Sequence, residues 1–162
     1  MEGLERRLAQ AEAALATLDE VVDTITRSLV ERDGAILRLI YTFEAMWKAC
    51  QQLLAEREGI EVASPNTAIR AARRLGWLSD EDARAAIGVG HDRNLAVHMY
   101  RGEIGAEIAQ RLAAHAALLR RWLAAMQQCA AAKYTPVQGL LDDYGPGRRP
   151  VLFSRACASA LR

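Results

Sequence analysis

Arginine, asparagine, histidine and tyrosine fall together in Asp92-Arg93-Asn94-Leu95-Ala96-Val97-His98-Met99-Tyr100, within a chain that has only three histidines. On a helix turning about 100° per residue, Asn94 and His98 share a face, which places the amide to orient the imidazole. Arg93 and His98, five residues apart, diverge by about 140°. They meet on one substrate only where the helix frays near Tyr100, or where a second subunit completes the site. A two-fold dimer would set two such segments against each other. The chemistry open to the pair is cleavage of RNA through its own 2′-hydroxyl, which needs a base, an acid and a cation for the phosphate but no metal. Histidine titrates near neutrality and serves as base or acid. Arginine is a fixed bidentate donor for phosphate oxygens. One histidine per subunit is one short of a separate base and acid, and a dimer supplies two. A surface arginine and a partly buried histidine are structural more often than catalytic, so composition alone leaves both readings standing.

Other chemistries have less to stand on. His91 and His98 lie about 10 Å apart along a helix axis and His115 belongs to another helix, so no metal site is expected. A Gly-rich phosphate loop, a GxSxG elbow and a Cys/His nucleophile pattern are all missing, and no cofactor is expected. Asp92 and Asn94 are the supporting polar neighbours of the Arg93/His98 pair. Glu44, Trp47 and Lys48 form a second polar-aromatic cluster. It reads either as an edge-of-core tryptophan with solvated charges, or as a support for the site in which Glu44 pairs with Arg93 across the fold.

The elements that must position these residues are helices. At 162 residues, 51% hydrophobic and 25% charged, the chain fits one globular domain with a core large enough to stand without metal staples. Alanine and leucine dominate, favouring helix. The net charge of +1 is unevenly spread: residues 1–26 are acidic, 66–101 mildly basic and 133–162 basic. That bias permits an anionic partner but falls short of a nucleic-acid-binding footprint. Three cysteines without zinc spacing and an acidic amphipathic N-terminus point to a reduced, cytoplasmic protein, and no apolar run reaches membrane-spanning length.

Leu4, Leu8, Ala11, Leu15, Leu18, Val22, Ile25 and Leu29 follow one another at spacings of four and three, predicting one long first helix. A second, central helix carries Ile36, Ile40, Phe43, Trp47, Cys50 and Leu54, widened by Leu37, Leu39, Met46 and Leu53, with Gly59 placed to end it. Ser64-Pro65 opens a short third helix that Gly76 stops. Ser79 to Asp82 opens a fourth with a capping box; it should run to Tyr100–Gly102, with Gly88 and Gly90 producing a local irregularity or a close approach just before the motif. A last helix runs from Glu103 to about Ala131, and after Lys133 the prolines and glycines forbid a continued helix. The expectation is an all-α, up-and-down bundle of four to five helices over residues 1–132, followed by an irregular basic tail at 133–162.

Arg93-Asn94, His98 and Tyr100 together resemble the R-x4-H-x-Y motif of the HEPN superfamily, and within it the HepT-like group named for nucleotidyltransferase substrate binding. Arg32-Asp33-Gly34, Tyr41-Thr42-Phe43-Glu44 and Trp47-Lys48 resemble that group's second helix; Ser64-Pro65 and Ile69-Arg70 stand at its next helix start. The likeness covers residues 5 to 126. It implies a helical bundle that forms a homodimer around the motif and is encoded beside an MNT-type nucleotidyltransferase antitoxin. It further implies a metal-independent ribonuclease toxin with Arg93 and His98 as the catalytic pair, RNA as substrate, and Tyr100 as the tyrosine that the partner silences by AMP transfer. AMP there would add bulk and negative charge beside the phosphate site. Gly88 and Gly90 depart from the regular helix of that group, and the tail has no counterpart in it. The rival reading is a non-catalytic substrate-binding subunit of a nucleotidyltransferase complex. A purely structural helical adaptor is the third.

Overall fold

The computed structural model describes residues 2–23 and 28–132, all of the regular structure being helical. The helices are α1 (Glu2–Val22), α2 (Leu29–Leu53), α3 (Pro65–Arg74), α4 (Asp80–Leu95) and α5 (Gly102–Ala131). The basic tail expected at 133–162 lies outside the described residues. No helix among the described residues is long and apolar enough to cross a membrane.

Cross-links between the helices set their directions. Thr17 meets Tyr41 at 2.6 Å and Arg38 meets Glu20 at 3.1 Å, so α2 returns antiparallel to α1. Arg32 near the start of α2 reaches Gly102 at the start of α5, while Arg57 just past its end bonds the Ala130 carbonyl, so α5 runs parallel to α2. Asp82 pairs with Arg121 and Asp92 with Arg111, which makes α4 and α5 antiparallel. α2 touches all four other helices. Ile36, Leu39, Phe43, Met46, Cys50 and Leu53 on it are fully buried, which explains why its apolar stripe is so wide. Leu37 is the exception, 55% exposed beside Tyr41 on an outward face. Burial raises the Cys50 thiol pKa to about 12. The nearby Trp122 indole acts in the opposite direction without reaching hydrogen-bond geometry, and among the described residues Trp122 Nε1 has no partner. Cys50 is therefore a core side chain and not a nucleophile.

Two expectations about helix ends are corrected. The periodic stripe from Leu4 to Leu29 does not mark one helix. α1 stops at Val22, and Ser28 caps a new one, its hydroxyl accepting the Glu31 N–H at 3.1 Å. Leu29, the next step of the stripe, is 67% exposed, and Ile25 lies outside the described residues. Ser79 caps α4 by accepting the Asp82 N–H at 3.0 Å, but the box is not completed: the Asp82 carboxylate goes to Arg121 at 2.6 Å. The Ser64 cap, by contrast, forms a full box with Thr67, and Gly59 ends the turn after α2 at φ 65°.

Gly88 and Gly90 both sit inside regular α4, so no irregularity arises. Gly90 is a close approach: a Cβ there would stand 3.3 Å from Phe43 Cζ, whose ring is buried. At Gly88 a Cβ would meet nothing within 4 Å. Gly88→Ala should therefore raise stability by about 0.5–1 kcal/mol through helix propensity alone. Gly90→Ala should lose that gain, or more, to the displaced ring. Urea unfolding of the two variants side by side checks the pair.

Candidate functional site

The motif begins one residue before its arginine. Asp92 is buried on the inner face of α4. Its carboxylate takes two bonds from Arg111, at 2.8 and 2.7 Å, and lies 2.7 Å from His115 Nε2, both residues on α5. Burial pushes this carboxyl up, but the hydrogen bonds and charges of Arg111 and His115 outweigh it and hold it below the usual carboxylate range. His115 itself is buried in the apolar stripe of α5.

That anchor turns the neighbouring residues outward. Arg93, about 100° further round the helix, pairs with Glu44 Oε1 at 2.8 Å, while its other terminal nitrogen donates to Asn94 Oδ1 at 3.0 Å. The second Glu44 oxygen accepts the Trp47 indole N–H at 2.9 Å, and the Lys48 ammonium sits 3.9 Å from the Trp47 ring centroid. The cluster of Glu44, Trp47 and Lys48 is thus joined to Arg93 across the α2–α4 contact. With both side chains over a third exposed, the Arg93–Glu44 pair adds under about 1 kcal/mol of stability. Its consequence is orientation.

The helix does not run to Tyr100. α4 ends at Leu95, a 3-10 turn covers Ala96–His98, and backbone bonds Met99 N–H to Ala96 and Arg101 N–H to His98 carry the chain into α5. Nothing local breaks it. The reversal is imposed because Asp92 is pinned to Arg111 and His115, so α5 must come back alongside α4. Arg32 fixes the far side: its guanidinium bonds Asp33 at 2.8 Å and the Gly102 carbonyl at 3.3 Å, and a Cβ at Gly105 would stand 2.7 Å from its Cζ. Within the turn Ala96 is buried and Leu95 and Met99 rest against the core, whereas Val97, His98 and Tyr100 point outward. Tyr100 is 80% exposed, with its ring 6.2 Å from the His98 ring in an edge-on arrangement.

The early end of α4 overturns the shared face of Asn94 and His98. The Asn94 oxygen is held by Arg93, and among the described residues no hydrogen bond joins Asn94 or Arg93 to His98. The chain leaves the helix before Tyr100, yet this does not bring the pair together. Arg93 and Asn94 line a cleft of about 400 Å3 between α2, α3 and α4, with Glu44, Trp47, Asn66, Ile87 and His91 also on its walls. His98 and Tyr100 are not among its lining residues. Among the described residues, no group of three or more His, Cys, Asp or Glu side chains is placed to hold a metal ion.

Over residues 6–128 the sequence matches the family described as nucleotidyltransferase substrate-binding protein-like. The chain belongs to this family. A crystal structure of a protein from Thermus thermophilus is similar at a TM-score of 0.70, with 49% sequence identity over 72% of this chain and 98% of that one. The search among curated proteins found no match. In this family member the Asp92 anchor and the Arg32 clamp escaped sequence reasoning. One signal was present: His115 falls between Leu112 and Leu119 on an otherwise apolar stripe, which is where a buried, partnered polar group belongs.

Asp92→Asn should destabilise the fold by on the order of 2–3 kcal/mol at neutral pH, since Arg111 and His115 lose their charged acceptor. The folded carboxyl titrates below the unfolded value of about 3.9. The stability it adds is therefore complete above about pH 5 and lost as pH falls through its folded range. Urea midpoints at pH 7, 4 and 3 should converge for wild type and variant toward the acid end.

Proposed function

We propose that the chain is a non-catalytic substrate-binding subunit of a nucleotidyltransferase complex, presenting substrate from the cleft beside Arg93. The observation that carries this is family membership across residues 6–128. The geometry of one protomer agrees: Arg93 is held by Glu44 and Asn94 at the cleft, and His98 stands apart from it. An arginine fixed in this way binds and orients more readily than it catalyses alone.

A second reading is favoured by the outward His98 and Tyr100. In it the chain is a HEPN-type ribonuclease toxin acting as a homodimer, in which Arg93 of one copy and His98 of the other converge on RNA. An MNT-type nucleotidyltransferase antitoxin silences it by AMP transfer to Tyr100, which is exposed enough to serve as an acceptor.

The two readings separate in one pair of assays. The first predicts that adding the purified chain to its nucleotidyltransferase raises the transfer rate several-fold, that Arg93→Ala removes most of the increase, and that the chain alone leaves RNA intact. RNA cleavage by the chain alone, lost in His98→Ala while the thermal melt is unchanged, would overturn it in favour of the second.

A further inference from the structure

We propose that the apolar groove between the 59–63 loop and α3 is the docking site for this chain's own segment Leu140-Leu141-Asp142-Asp143. The inference is independent of what the cleft beside Arg93 does.

The groove is built from both sides. Burial alternates along the loop after Gly59, so Ile60 and Val62 turn inward while Glu61 and Ala63 are exposed. Backbone and side-chain bonds hold that loop in place. The Ile60 N–H donates to the Leu54 carbonyl at 3.0 Å, and Gln51 Nε2 donates to the Val62 carbonyl. Ala71 and Leu75 of α3 form the other wall, and Arg70 and Arg74, each one residue before them, stand on its rim. The space enclosed is about 400 Å3. The four apolar side chains rest against the core, yet each keeps part of its surface uncovered. Both arginines are exposed and make no side-chain hydrogen bond or ion pair among the described residues, whereas their neighbour Arg73 is taken by Asp80. An apolar groove with two unpaired cations along one edge suits apolar side chains followed closely by negative charge.

The chain carries such a segment within reach. α5 ends at Ala131, and Arg57, just before the loop, bonds the Ala130 carbonyl, so the last described turn of α5 stands beside the loop. Three Cα steps of about 3.8 Å and one arginine side chain separate Ile60 from that carbonyl. Leu140 follows Ala132 by eight residues, which span up to about 26–29 Å. Residues 133–162 contain two apolar runs, Leu140-Leu141 and Val151-Leu152-Phe153. Charge decides between them. Asp142 and Asp143 follow the first directly, whereas the second lies between Arg148-Arg149 and Arg155 and would set cations against Arg70 and Arg74. The segment lies past the residues matched to the family, 6–128. α3 gives the docking a consequence: Pro65 and Asn66 at its start line the cleft beside Arg93, while Thr67 to Leu75 line the groove. A docked segment therefore braces the α3 wall of that cleft.

Whole chain labelled at its Ile, Leu and Val methyls tests this by NOE spectroscopy. Cross-peaks from Leu140 or Leu141 to Ile60, Val62 or Leu75 are expected, unchanged on dilution. Leu140→Asp/Leu141→Asp should remove them and move the Ile60 and Val62 methyl signals, docking being weakened about tenfold or more. Asp142→Arg/Asp143→Arg should weaken docking roughly two- to tenfold. Adding Arg70→Asp/Arg74→Asp to that variant should restore the cross-peaks, a rescue that damage to the fold would not produce. Cross-peaks from Val151 or Leu152 in their place would overturn the proposal. So would cross-peaks found only between separate molecules in mixed labelled and unlabelled chain, which would give the groove to a second copy. Groove methyl signals identical in wild type and Leu140→Asp/Leu141→Asp would also overturn it and leave the groove to another partner.

Discussion

The buried carboxylate of Asp92 governs the functional end of this bundle. A charge taken out of water is tolerated only where hydrogen bonds replace the solvent, and here two residues of α5 do so, at 2.7 to 2.8 Å. The consequence is geometric. With Asp92 turned inward, Arg93 must leave α4 toward α2, and α5 must lie alongside α4 close enough for Arg111 and His115 to reach. Six residues, 96–101, then remain between Leu95 and Gly102 to reverse the chain, so the helix cannot continue. The tight turn that exposes Val97, His98 and Tyr100 follows from an interaction one helical turn before it begins.

α2 supplies the complementary half of the frame. Along one helix, Arg32 lies against Gly105 and holds the Gly102 carbonyl, Thr42 reaches the Ala14 carbonyl at 3.0 Å, Phe43 packs on Gly90, and Glu44 joins Arg93 to Trp47. Each of these residues has a packing or hydrogen-bonding reason to be what it is. The helix thereby acts as a ruler that sets both edges of the cleft and both ends of the motif turn.

Much of the fold was legible because it obeys local rules. The Ser64-Pro65 start, the Gly59 stop and the width of the central stripe each have a physical signature that survives in one dimension. The break between α1 and α2 did not, since a stripe spaced at threes and fours reports periodicity alone and gives no sign that one helix stops at Val22 and another starts at Leu29. The end of α4 was equally hidden: Leu95 through Tyr100 contains no proline or glycine, and the constraint that ends the helix is tertiary. The Glu44–Arg93 pairing was one of two readings open from sequence, and the structure contains it. The shared face of Asn94 and His98 failed with the helix it assumed.

A subunit that holds substrate for a nucleotidyltransferase and a toxin that is itself the substrate of one make opposite demands on Tyr100. Only the second needs it reachable, and its ring is exposed; the first needs it left unmodified. The most direct test is the intact mass of the chain, with peptide mapping across Tyr100, after co-expression with a nucleotidyltransferase partner. The binding-subunit account predicts a stable complex in which the mass of this chain is unchanged. AMP-sized additions confined to Tyr100, and dependent on the partner, would contradict it.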